Sequence, residues 1–270
     1  RSFHVTGVQT CALPISGIIG GLRERGLKLE DIALLPAGNA WLMCEYGADT
    51  PEAAIAMAKV LQARVGGNLI TDKVLMNRIW TIRETGASAT ALSSPGEGPD
   101  PVVGWEDAAV DPLRLGDYLR EFQALIDRFG YKTSLYGHFG NGCIHARITF
   151  NLRTVEGLAH WREFLAEGAK LVVKYGGSLS GEHGDGQAKS EFLPAMYGPE
   201  LMEAFREFKA IWDPEDRMNP GKLVSAKGRV LRADENLRFG PDYKPVTLAT
   251  RFRRSEEHTS ELQSRETISY

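Results

Sequence analysis

Two short glycine-rich stretches hold most of the side chains that could do chemistry. The first is Tyr136-Gly137-His138-Phe139-Gly140-Asn141-Gly142-Cys143-Ile144-His145, and the second is Gly177-Ser178-Leu179-Ser180-Gly181-Glu182-His183-Gly184-Asp185-Gly186. Together they offer three imidazoles and a carboxylate, set among glycines that permit tight turns and close approach to a small ligand. His138 and His145 are far enough apart for the chain to leave one ligand position and return to another. With Glu182 they make two imidazoles and one carboxylate with an open coordination position, the pattern of a catalytic zinc site, or of manganese or iron. His183 then sits beside the metal and stays free. The competing reading is that these are ordinary hydrogen-bonded core or surface histidines. The Gly-Glu-His-Gly run weighs against it, because such side chains are costly to hold at glycine-dense turns without a purpose.

Two arginines are candidates for a substrate carboxylate. Arg83, between Trp80 and Glu84, is either a surface ion-pair partner or a bidentate clamp. Arg147 has the geometric advantage of sharing a strand face with His145. Cys143 reads as a small packing residue, since nothing around it would activate a nucleophile, and Lys222 as a solvated charge. The glycines fit neither Gly-x-Gly-x-x-Gly nor a Walker sequence, so they give little support for phosphate binding.

These side chains need elements to position them. Cys143 to Phe150 alternates as a half-buried strand, with Ile144, Ala146, Ile148 and Phe150 on one face and Cys143, His145, Arg147 and Thr149 on the other. Residues 40–46 read as a strand and Thr50-Pro51 as the start of a helix that Gly66-Gly67 end. Residues 72–85 begin as a helix, and 87–104 read as a loop or irregular strand pair. Trp105 to Val110 is a short strand candidate, and Asp111-Pro112 starts a helix with Leu115, Tyr118, Phe122, Leu125 and Phe129 inward. A further helix runs from about Thr154 to Gly176. Another opens at Gly198-Pro199, with Leu201, Phe205, Phe208 and Trp212 inward. Strand-helix-strand passages with short strands predict an α+β fold, one antiparallel sheet with helices on one face.

Composition excludes several classes. The 270 residues are 43% hydrophobic and 25% charged, ordinary for a globular chain, and a net charge of -3 leaves no electrostatic footprint for nucleic acid. Three scattered cysteines do not form a disulfide framework and suit a reducing compartment, with the cytoplasm as the expected location. No stretch reads as a membrane span or a signal peptide. Residues 1–16 and 254–270 read as non-native tails, resembling translated adapter sequence at the ends of assembled genomic fragments, or else as disordered ends. Residues 17–226 form the body, and 227–253 an extended linker toward something missing. The chain begins at Arg and reads as a piece of a longer protein.

The runs GHFGNGCIH and GGSLSGEHGDG, followed by WDPEDRMNPGKLV, closely resemble the C-terminal half of FAD-linked oxidases of the vanillyl-alcohol oxidase fold, in the D-lactate, glycolate and D-2-hydroxyglutarate dehydrogenase branch. WTIRETGA and GWEDAAVDPLRLGDYLREF are most similar to a long bacterial subgroup that continues into an iron-sulfur domain. The resemblance spans about Gly17 to Arg253. It implies a ferredoxin-like cap domain with C-terminal helices, lying over a flavin whose main FAD-binding domain precedes this segment. It also implies oxidation of a D-2-hydroxy acid, a small-molecule substrate, to the 2-oxo acid. Position by position it makes His138, His145 and Glu182 ligands of a divalent metal, zinc by preference, and His183 the active-site base. Arg83 becomes the substrate-carboxylate arginine, and Asn219 lies in a turn that approaches the flavin. Arg147 stands where the hydroxyglutarate branch has a substrate-contacting Asn, and can itself supply a cation. The electron acceptor is unspecified, and peripheral membrane association is compatible with the family. The alternative without the resemblance is a non-catalytic metal- or carboxylate-binding α+β module.

Overall fold

Caps and prolines set the helix starts where the sequence predicts them. The structure is a computed structural model and describes residues 8–13, most of 19–89, 101–102, 104–237 and 240–242. In chain order it contains β1 (Val8–Leu13), α1 (Leu29–Ile32), β2 (Trp41–Tyr46), α2 (Pro51–Val65), α3 (Lys73–Ala89), β3 (Ala108–Ala109) and α4 (Leu115–Arg128). Then follow β4 (Thr133–His138), β5 (Cys143–Ile148), α5 (Val155–Lys174), α6 (Gly186–Ser190) and α7 (Leu193–Trp212). Thr50 accepts the Ala53 N–H ahead of Pro51, and Thr154 accepts the Gly157 N–H, each satisfying a first-turn donor that the helix leaves open. Asp111 caps a 3-10 turn, Pro112–Arg114, that leads into α4.

The fold is α+β, as the sequence predicts. Five antiparallel strands form one sheet in the order β2-β1-β4-β5-β3. One face of β5, through Ile144, Ala146 and Ile148, packs with Phe122 and Ile126 of α4 and Phe164 of α5. Burying each such large apolar side chain contributes about 1.5–3 kcal/mol. A smaller cluster of Ile19, Leu22, Ile32 and Ile82 lies against Trp41 and Met43 of β2. The alternation in β5 predicts a half-buried strand, but all six residues are buried. The second face is covered by loops, which leave no hydropathy pattern for a strand to reveal.

One further departure, on α7, has a physical cause, and two segments predicted as tail and linker contain described residues that contact the body. Val8–Leu13 falls inside the segment predicted to be a foreign tail, yet its backbone pairs with β2 from Val8 opposite Tyr46 to Leu13 opposite Trp41, and meets β4 at Gly137. That pairing is non-local and leaves no mark in the segment itself. Leu201, Phe205, Phe208 and Trp212, predicted to face inward, are exposed, and Leu193 and Met202 carry the buried contacts of α7 instead. Gly198, at φ 76°, breaks this helix into two segments. Periodicity correctly marks an apolar stripe but does not say what it faces. Within the predicted linker, residues 227–237 lie on the body: the Ala233 N–H donates to Glu191, Arg162 pairs with Asp234, and Ala233 is buried in the main core. The anchors are polar and so leave no apolar periodicity. The rest of that linker beyond residue 242, and the tail 254–270, lie outside the described residues.

No helix among the described residues is long and apolar enough to cross a membrane. After α7, the buried Asp213 side chain accepts Lys209 Nζ and the N–H groups of Arg217 and Met218, at 2.8, 2.8 and 2.9 Å. The hydrogen bond from Lys209, opposed by burial and aided by the two amides, holds the Asp213 carboxyl at about 2. A depressed carboxylate pKa stabilises the fold above the ordinary aspartate value and loses that contribution as pH falls through the folded one. Asp213→Asn is therefore expected to lower the denaturation midpoint at neutral pH, with the deficit shrinking as pH falls from about 4 toward about 2. Gly142 gives a second prediction: it has φ 72°, and a Cβ there would meet the Val110 carbonyl oxygen at 1.8 Å. Gly142→Ala is expected to destabilise by more than about 2 kcal/mol in chemical denaturation.

Candidate metal and active site

The two glycine loops meet on either side of β3. Ala109 and Ser178 exchange backbone hydrogen bonds at 3.0 and 2.8 Å, and the Val110 N–H donates to Gly142 O at 3.1 Å. Gly177 permits the second approach, since a Cβ on it would lie 2.3 Å from Ala109 O. The first loop runs from β4 through a 3-10 turn, Phe139–Asn141, into β5. His138 thus ends one strand, and His145 stands on the next.

This arrangement brings together His138, His145, Glu182 and His183. Glu182 Oε1 lies 3.3 Å from His138 Nε2 and 3.4 Å from His145 Nε2. Ligand bonds of about 2.0–2.1 Å in a tetrahedral site separate neighbouring ligand atoms by about 3.3–3.4 Å, so each of these two nitrogens stands at a ligand-to-ligand distance from the glutamate oxygen. The His183 ring stacks on His145 with centroids 4.9 Å apart and planes 6° from parallel, and its Nε2 is 3.8 Å from Glu182 Oε1. His145 is buried while His183 is half exposed. Burial first, then the neighbouring His183, His138 and Arg147 charges, lowers the His145 pKa to about 4 against the pull of Asp107. It is neutral near pH 7, as a ligand imidazole must be. Among the described residues its Nδ1 has no hydrogen-bond partner, and Glu106 Oε1 lies 3.9 Å away, beyond hydrogen-bond distance.

Arg147 is buried on the same face, and among the described residues its Nε and Nη1 have no hydrogen-bond partner. A buried cation with unused donors suits an anionic ligand. Tyr136 neighbours it, with its phenol 3.4 Å from Glu106 Oε1 and its pKa raised chiefly by burial. Arg83 lies on α3, but its side chain is outside the described residues. Asn219, at φ 50°, sits exposed in the turn after α7, and among the described residues no hydrogen bond or ion pair joins it to the histidines.

The residue that the sequence misses is Asp107. One ligand-type atom from each of Asp107, His145, Glu182 and His183 lies within 4.8 Å of the others. Asp107 is nevertheless a poor ligand, because its oxygens accept Ser180 Oγ, the Glu182 and His183 N–H groups, and Cys143 Sγ. Burial would raise its pKa, but these hydrogen bonds hold it at about 2. Its only trace in the sequence is an acid immediately before an apolar strand.

The class is that of the FAD-linked oxidases. The chain belongs to the family described as FAD linked oxidases, C-terminal domain, whose model matches residues 24–223. It is 33% identical to a D-2-hydroxyglutarate dehydrogenase of Haemophilus influenzae over 161 residues, 60% of this chain and 15% of that protein. It is 35% identical to a D-lactate dehydrogenase of Archaeoglobus fulgidus over 118 residues, 44% of this chain and 26% of the relative. With the glycolate oxidase subunit GlcD of Bacillus subtilis it shares 24% identity over 206 residues, 75% of this chain and 44% of the relative. The chain thus spans about a sixth of the length of the hydroxyglutarate dehydrogenases it matches, such as the 16% covered in that of Escherichia coli.

Cys143 lies within this cluster without the character of a nucleophile. Burial, then its hydrogen bond to Asp107, raises its thiol pKa. Iodoacetamide at pH 8 is expected to leave Cys143 unlabelled in the folded protein and to label it after denaturation, as read by peptide mass spectrometry.

Proposed function

We propose that this chain is the substrate-binding portion of a FAD-dependent D-2-hydroxy-acid dehydrogenase that oxidises a lactate- or 2-hydroxyglutarate-like acid to the 2-oxo acid. The observation that carries the reading is the convergence of His138 and His145 Nε2 on Glu182 Oε1 beside buried Arg147. The family and the names of the relatives support the substrate class.

On this reading His138, His145 and Glu182 hold a divalent ion, zinc by preference. The ion when bound supplies Lewis acidity toward the substrate oxygens, and the flavin supplies the hydride acceptor. Arg147 Nε and Nη1 bind a substrate carboxylate, which fixes the α-carbon and its hydroxyl relative to the histidines. Arg83 supplies a second cation from α3. His183, half exposed and stacked on His145, accepts the hydroxyl proton at Nε2 as general base. Asn219 faces the flavin from its exposed turn, and FAD binds mainly outside this chain. The cytoplasm, a downstream iron-sulfur domain and peripheral membrane association belong to the same proposal. Iron and acid-labile sulfide in the full-length protein test the iron-sulfur domain.

Flavin reduction by a panel of D-2-hydroxy acids in the full-length protein, with metal content measured alongside, tests the function. His183→Ala is expected to slow reduction by about 10²–10⁴-fold while retaining metal, and wild-type reduction kinetics in that variant would sink the assigned role. Arg147→Met is expected to raise KM for the acid at least about tenfold. Glu182→Gln or chelation is expected to lower bound metal and activity together.

A further inference from the structure

We propose that Asp107, backed by Lys189, is a positioning residue that holds Glu182 and His183 in their working geometry. The inference rests on the reading of Glu182 as a metal ligand and His183 as the base, and deepens it. Asp107 is 1% exposed, and its carboxylate oxygens are taken up by donors from the two loops. It reaches beneath the second loop. Oδ2 accepts the Glu182 N–H at 3.0 Å, the His183 N–H at 2.8 Å and the Ser180 hydroxyl. Oδ1 accepts Cys143 Sγ at 3.2 Å, from the first loop. Its main chain is tied on both sides, with its N–H donating to Ile144 O of β5 and its carbonyl accepting the Gly181 N–H.

Two of these bonds hold the backbone of the proposed functional residues. Fixing two consecutive amides, at 182 and 183, fixes the direction in which both side chains leave the backbone. Ala109 and Ser178 already pair the start of this loop to β3, so a role confined to attachment would not need a carboxylate at the far end. Asp107 also adopts φ 72°, a left-handed conformation unfavourable for a non-glycine residue, and such strain persists where the surroundings over-determine it.

Lys189 completes the clamp from the other direction. It lies on α6, just after the second loop, and is buried, with Nζ donating to the carbonyls of Glu106 and Leu179. It thereby ties the residue before Asp107 to the loop that Asp107 holds. Its charge also offsets that of Asp107, so neither ion is buried alone. The lone pairs of Asp107 are already committed to donors, which makes it a support for the ligand set and not a member of it.

The test is Asp107→Asn in the full-length flavoprotein, with Ser180→Ala in parallel as a milder variant that keeps the carboxylate and removes one of its donors. Three readouts are compared with wild type: deuterium uptake across residues 177–186, affinity for zinc by chelator competition, and the visible spectrum of the cobalt-substituted protein. The expected result for Asp107→Asn is uptake in that segment faster by about tenfold or more with uptake in α4 and α5 unchanged. Zinc affinity is expected to weaken by about 10–100-fold, with a changed cobalt spectrum and kcat falling more than KM rises. Ser180→Ala moves the same quantities less, and decides the matter if Asp107→Asn does not accumulate. Wild-type uptake, affinity and spectrum in the variants would overturn the proposal while leaving the metal reading intact. If the wild type binds no zinc while the variants still free the 177–186 amides, the metal reading fails and the positioning role stands.

Discussion

The site depends on a close backbone approach: three extended residues, Ala108 to Val110, are met by two glycine loops at once. Ser178 pairs with Ala109 from one side, while Gly142 accepts the Val110 N–H from the other. Side chains at 142 or 177 would place a carbon inside the contact distance of a carbonyl oxygen, so the glycines are required by the approach itself. Because β3 is only two residues long and hydrogen-bonds to β5, it acts as a spacer that sets how far His145 stands from Glu182.

Charge is distributed around this spacer in two ways. Asp107 is neutralised within the fold, by Lys189 nearby and by hydrogen bonds that more than offset burial. Arg147 is buried beside a neutral His145, and among the described residues its Nε and Nη1 find no hydrogen-bond partner. A buried cation left in that condition is costly unless a ligand completes it. On the proposed reading, the contrast separates a residue that supports the cluster from one that meets the substrate.

Much of the fold was legible because its signals are local. Thr50, Asp111 and Thr154 announce helix starts through capping chemistry, and the apolar spacing of α4 gives its buried face residue by residue, through Leu115, Tyr118, Phe122 and Leu125. Where the sequence did not show what a segment packs against, the missing information was the partner. The stripe on α7 is real but faces outward. Val8–Leu13 takes its place in the sheet only by pairing with β2 and β4, and residues 227–237 dock through an ion pair from Asp234 to Arg162 on α5 and a hydrogen bond from the Ala233 N–H to Glu191 beside α6.

For the site, the sequence by itself determined which residue types were available: three imidazoles, Glu182 and the glycines that let two loops turn. Strand alternation also put Arg147 on the face of His145, because side-chain direction along a strand has a period of two that needs no tertiary knowledge. Only the tertiary structure decided that Nε2 atoms from two strands share one Glu182 oxygen, and that Asp107 lies beneath the loop that carries it. More than seventy residues separate Asp107 from those amides. Contacts across such a span are fixed by the packing of the whole sheet and leave no periodic trace in the chain.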